Sequence, residues 1–223
     1  MEIIKAEKVE KIYSDNGVPV HALKGIDLQI NQGEYIVIAG PSGSGKTTLL
    51  NLLGALDKPT SGKVYFEREE LSAKSRNDLS EMRLKKMGFI FQAYNLIPVL
   101  SALENIEFSM MLLGINTKER TDKALDLMDY LGIKDLADKR PNQMSGGQQQ
   151  RVAVARAIVN EPSIVFADEP TANLDSVTAG HLLDLMERMN TEKNITFVFS
   201  SHDKQVMERT KRLLMLKDGL LQK

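Results

Sequence analysis

Three short apolar runs punctuate the chain at 35–39, 164–167 and 195–199. Each is rich in β-branched residues and gives way at once to small or polar positions. A run of that length and composition predicts a strand buried on both faces. Between the runs lie stretches with helical periodicity. In 118–131, Ala124, Leu127, Met128 and Leu131 fall on one face, which predicts an amphipathic helix. Strand and helix in alternation predict a parallel sheet covered on both sides, with ligands bound beyond the carboxyl ends of its strands. Residues 1–8 alternate charged and apolar positions, which predicts a first strand and lacks the continuous apolar stretch of a secretory signal. Between about 93 and 160 the alternation breaks and the pattern becomes mostly helical. The expectation is one domain, with a core of 1–92 and 161–223 and an inserted helical subdomain at 93–160.

Composition narrows the function classes. A chain of 223 residues suits one sizeable α/β domain rather than two unrelated ones. A formal net charge of −1 gives no general attraction to nucleic acid or anionic lipid, so any polyanion must be gripped locally. The absence of cysteine excludes disulfides and thiolate metal sites and suits a cytoplasmic setting. No run of about 18 apolar residues occurs, so a membrane role requires a partner.

The chemistry is concentrated in three segments. Gly40-Pro41-Ser42-Gly43-Ser44-Gly45-Lys46-Thr47 follows the strand at 35–39 and precedes a helical run that begins at Thr48. A match to G-x-x-x-x-G-K-[ST] by accident has a chance of about 1% in such a chain, and the strand and helix flanks lower it further, so phosphate binding is the reading adopted. Backbone N–H groups of the glycine turn, together with the helix N-terminus, favour phosphate oxygens. Lys46 can reach the β- and γ-phosphates of ATP, and Thr47 can ligate Mg²⁺. The strand at 164–167 ends in Asp168 and Glu169. Beside a phosphate loop, Asp168 suits a Mg²⁺-organising role and Glu169 a general base for the attacking water. Ser145-Gly146-Gly147-Gln148 opens another helical run, with Ser145 as N-cap. This is either a capped helix and nothing more, or a second anion site.

The order and spacing of residues 40–47, Ser145-Gly146-Gly147-Gln148, 164–169, Asp175 and His202 resemble the ATP-binding cassette family over the whole chain. The Ser-Gly-Gly-Gln signature separates that family from other phosphate-loop proteins. The resemblance implies an ATPase with a RecA-like P-loop NTPase core, an N-terminal antiparallel β portion and an inserted helical subdomain. It also implies a head-to-tail homodimer, with each ATP held between the phosphate loop of one subunit, Thr48 included, and Ser145–Gln148 of the other. It further implies that Tyr13 stacks on adenine, although a surface or core tyrosine remains the plainer reading. Gln92 would contact Mg²⁺ and link the subdomains, residues 172–175 would cross the dimer interface, and His202 would serve as the switch near the γ-phosphate. Two departures are mild: Met144 stands where leucine is usual, and Ser201 where threonine is common. His21 and His181 match no functional position.

Within the family, residues 53–62, 102–105 and 167–175 resemble the small ATPases of lipoprotein release and macrolide export, and nearly as well a cell-division cassette. The chain stops soon after Gly219, so a separate integral membrane permease is expected, with the ATPase peripheral on the inner face of the membrane. Residues 93–100 are more apolar than a solvated loop needs. They either pack within the helical subdomain or form the docking patch that the family offers its permease. Without a basic tract, heptad run or second cassette, the non-transport roles in DNA repair and translation fit less well, and no nucleic acid is expected.

Overall fold

A computed structural model describes residues 1–15 and 18–222. In chain order, β1 (Glu2–Asp15) and β2 (Val18–Asn31) precede β3 (Tyr35–Ala39), α1 (Lys46–Leu53), β4 (Ser61–Phe66), β5 (Glu69–Glu70), α2 (Arg76–Lys86) and β6 (Met87–Ile90). There follow α3 (Ala102–Leu112), α4 (Thr117–Tyr130), α5 (Gly146–Ile158), β7 (Ile164–Asp168), α6 (Ser176–Lys193), β8 (Thr196–Ser201), α7 (Lys204–Glu208), β9 (Arg212–Lys217) and β10 (Leu220–Leu221). The chain divides into two compact units, one of residues 1–83 with 196–223 and the other of residues 84–195.

In the first unit β3 lies between β8 and β9, parallel to both, and β10 pairs antiparallel with β9. Every residue of β3 and of β8 is buried, as continuous apolar runs in a parallel sheet require. The N-terminal strands form a separate antiparallel sheet in the order β2-β1-β4-β5. In β2 the inward positions Ile26, Leu28 and Ile30 alternate with exposed ones, the period-two pattern of a sheet with one solvated face.

In the second unit β6 and β7 pair in parallel, with Ile90 opposite Ala167. Helix α5 contacts α3, α4 and α6. Its central position follows from its sequence: Val152, Ala153, Val154 and Ala155 are all buried, so the helix is apolar on every side there. Ala124, Met128 and Leu131 are buried as the periodicity of α4 predicts, with Leu127 half-buried. Side-chain caps mark the helix starts. Ser101 with Glu104 and Ser145 with Gln148 form capping boxes, and Asn116 and Asp175 accept from first-turn N–H groups. The observed architecture is the expected α/β one. Among the described residues no helix is long and apolar enough to cross a membrane.

Candidate functional site

The loop 40–45 links β3 to α1 in the first unit. Gly43 has φ 77°, a left-handed conformation that only glycine takes without strain. At Gly40 the constraint is space, because a Cβ there would lie 2.0 Å from the carbonyl oxygen of Leu216. Helix α1 begins at Gly45 with no side-chain cap and no acidic residue in its first turn. The positive end of its dipole therefore meets no acidic residue of its own first turn, which favours an anion there. Lys46 is buried, and its ammonium donates to the carbonyls of Gly40 (2.9 Å) and Pro41 (3.1 Å), which holds the charge within the curve of the loop. The Ser44 hydroxyl is buried and makes no hydrogen bond among the described residues. A buried hydroxyl of this kind is costly unless it meets a ligand, and a phosphate oxygen meets the need.

Two more residues of the first unit stand near this loop in the fold. The pairing of Ala39 with Ser201 in β3 and β8 brings Gly40 and His202 out at one end of the same parallel pair. Tyr13 lies on β1 with its ring partly exposed. Its hydroxyl donates to Asp57 Oδ2 (2.9 Å), and Lys11 Nζ lies 4.8 Å from the ring centroid. Lys11 Nζ also pairs with Asp57 (2.8 Å) and the Lys58 carbonyl (2.8 Å). Burial, then the hydrogen bond to Asp57, raises the Tyr13 hydroxyl above the usual phenol range, with a hydrogen bond from Thr48 opposing them. The predicted base platform is thus tied to the start of α1 through Thr48 and to the segment after α1 through Asp57. The spacing of Tyr13 and Asp57 carried no signal of that tie.

The second unit carries the other predicted residues. Gln92 and Asp168 each follow the paired residues Ile90 and Ala167 and so leave the β6–β7 pair at one end. Glu169 stands next, half-buried, with φ 47°. A left-handed glutamate is uncommon and marks a turn held by its surroundings. Those surroundings include the buried Gln150 of α5, whose amide donates to the Pro170 carbonyl at 2.7 Å. At the start of α5, Ser145 Oγ accepts from Gln148 N–H (3.3 Å), and the Gln148 side chain accepts from Ser145 N–H (2.9 Å). This capped turn borders a cleft of about 390 Å³ that is also lined by Arg151, Asn173, Asp175 and Thr178.

Several supporting residues have no signature in the chain's pattern. Arg156 donates to the carbonyls of Tyr94 and Asn95, two consecutive left-handed residues just after Gln92. Asn173 donates to the Gln92 carbonyl at 2.9 Å. The buried Asn105 accepts from Ile97 N–H (2.7 Å) and donates to the carbonyls of Ile97, Leu100 and Ser101, shaping the apolar loop. In that loop Leu96, Ile97 and Leu100 are half-buried, while Val99 is 73% exposed.

A buried parallel strand, a glycine loop curled around its own lysine and an uncapped helix start define a P-loop nucleotide-binding protein. The chain belongs to the ABC transporter family, whose model matches residues 23–172, and within that family it is the ATP-binding, ATP-hydrolysing cassette. It is 42% identical to the lipoprotein-releasing system ATP-binding protein LolD of Legionella pneumophila, over 98% of this chain and 96% of that protein. It is 38% identical over its full length to the macrolide export ATP-binding/permease protein MacB of Syntrophobacter fumaroxidans, of which it covers 31%. Among solved structures, the dimeric cassette MJ0796 of Methanocaldococcus jannaschii superposes with a TM-score of 0.93 at 41% identity, over 99% of this chain and 97% of that one. That cassette is also known as a dimer in a post-hydrolysis state with ADP and Pi.

Proposed function

We propose that this chain works as a homodimer that binds two MgATP at its interface and couples their hydrolysis to a separate integral membrane permease. The observation that carries the reading is the presence of two helix starts free of acidic residues, at α1 and at α5, in a chain with one lysine-bearing phosphate loop. A second anion-suited turn opening onto an exposed cleft has its use when it faces a nucleotide held by another copy.

In this reading the amides of the loop 40–47 and Lys46 hold the phosphates, and Tyr13 stacks on the adenine. Glu169 takes the proton of the attacking water, His202 orients the γ-phosphate, and Ser145–Gln148 complete the partner's site. Among the described residues no group of three or more His, Asp or Glu side chains could hold a metal. Mg²⁺ keeps several waters and needs no such cluster, since one or two carboxylates together with nucleotide phosphates suffice to hold it. Thr47, Gln92 and Asp168 are the residues assigned to hold it. When bound, Mg²⁺ supplies positive charge against the β- and γ-phosphate oxygens.

The core of 1–92 and 161–223 is assigned to the nucleotide, and the helical segment 93–160 to the signature and the permease contact. Through its permease the ATPase would sit on the inner face of the membrane. Similarity to LolD and MacB favours lipoprotein release or the export of macrolides or peptides as the work done. Sedimentation of the Glu169→Gln variant tests the central claim. MgATP should convert it from monomer to dimer, and a protein that stays monomeric at saturating MgATP removes the proposal.

A further inference from the structure

Gly146 and Gly147 lie in the first turn of α5, and neither has the positive φ that would demand glycine. Alanine is the better helix former, so the backbone of α5 gives no reason for two glycines. The neighbours do. A Cβ on Gly147 would lie 2.6 Å from Thr178 Cγ2, far inside the contact distance of about 3.5–4.0 Å between carbons. The Thr178 methyl cannot easily swing aside, because its hydroxyl donates to Asp175 Oδ2 (2.6 Å) and its N–H to Asp175 Oδ1 (3.0 Å). A Cβ on Gly146 would lie 2.8 Å from the Tyr94 hydroxyl, and the Tyr94 carbonyl is held by Arg156.

From these contacts we infer that Thr178 and Tyr94 are positioning residues that seat the signature turn, tying it to the Asp175 loop and to the segment after Gln92 within the same subunit. The inference rests on the proposed role of Ser145–Gln148 in the ATP-bound dimer. Asp175 acts through Thr178: it fixes the rotamer, and the methyl fixes the height of Gly147. A displacement of either neighbouring segment then shifts the turn that faces the partner's nucleotide.

The test is a size exchange in the Glu169→Gln background. Gly147→Ala should weaken MgATP-driven dimerisation by about tenfold or more, the scale of an overpacked contact. Thr178→Ser, which keeps the hydroxyl and deletes the methyl, should restore most of that loss when combined with Gly147→Ala. Gly146→Ala with Tyr94→Phe forms an independent second pair, with Tyr94→Phe alone as its reference. If the glycines serve only to admit the partner's nucleotide, neither second substitution rescues and the inference is overturned. Thermal unfolding without nucleotide separates this from failure of the dimer reading. Thr178→Ser should recover the midpoint lost by Gly147→Ala, and simple additivity there refutes the seat whatever the oligomeric state. A monomeric Glu169→Gln parent instead overturns the dimer reading, and with it the consequence for dimerisation.

Discussion

Ala39 and Ser201 are register partners on the parallel strands β3 and β8, so Gly40 and His202 leave that pair one residue later, side by side in sequence register. In the second unit the pairing of Ile90 with Ala167 does the same for the segments that carry Gln92 and Asp168–Glu169. Parallel pairing thus delivers residues far apart in the chain to common strand ends, where a phosphate-binding α/β protein does its chemistry.

The first prediction concerns those strand ends. Glu169→Gln should leave ATP affinity near its original value while turnover falls by about 10²–10⁴, the usual contribution of a positioned base. His202→Ala should likewise reduce turnover more than binding. Calorimetry for affinity and phosphate release for turnover check both. Near-normal turnover in either variant removes that residue from the chemistry.

A second prediction follows from sites shared between subunits. Lys46→Ala loses tight MgATP binding in its own phosphate loop, and Ser145→Arg damages the site built on its partner's loop. Each is inactive alone, yet a mixed dimer carries one site with both lesions and one with neither. Mixing the two should therefore recover part of the activity or, where the sites are coupled, part of the ATP-driven dimer. No recovery by either measure means that the sites do not lie between subunits.

The third prediction concerns Tyr13 and Asp57. Tyr13→Ala should weaken ATP binding by about two- to tenfold, since stacking adds about 0.5–1.5 kcal/mol beyond burial. Burial alone would raise the Asp57 carboxyl, but hydrogen bonds from Lys11, the Lys58 N–H and Tyr13 outweigh it and hold the group below the usual carboxylate range. A carboxylate lowered in the folded state contributes stability above its unfolded value, near about pH 4, and that contribution is lost as pH falls through the folded value. Asp57→Asn should therefore be less stable than the parent at neutral pH, with the gap closing on acidification below about pH 4. Parallel pH profiles of the unfolding midpoint would contradict this.

The fourth prediction addresses the permease. Asp at Leu96 or Ile97 should reduce recovery of an integral membrane protein in affinity purification while leaving the unfolding midpoint of the ATPase within a few degrees of the parent. Asn105→Ala should also reduce recovery, through the loop it shapes, but with a clear loss of stability because several backbone groups lose their partner. Unchanged recovery with the Leu96 and Ile97 variants places the docking surface elsewhere.

Much of this architecture was legible along the chain. The apolar runs at 35–39 and 164–167 became β3 and β7, and the run at 195–199 became β8 with a shift of one to two residues. The periodic stretch at 118–131 became α4, and the residue expected to cap α5 does so. The glycine loop with Lys46 was readable because several of its requirements are local: left-handed φ at Gly43, a strand before it and a helix after it.

What could not be read in advance joins segments with no shared local pattern. Arg156 meets the carbonyls of Tyr94 and Asn95 across a separation of 62 and 61 residues, and Asp57 meets Tyr13 across 44. An arginine on a helix or an aspartate in a turn looks the same in sequence whether it is solvated or clamps a distant loop. Gly146 and Gly147 are the sharpest instance. As letters they suggest flexibility or phosphate binding, whereas in the fold their missing side chains make room for Tyr94 and Thr178. Periodicity and turn chemistry depend on residues one to four places apart, and these act before the chain is packed. Which side chain fills which gap depends on the close packing of the assembled elements, a property of their three-dimensional arrangement that no stretch of the chain carries alone.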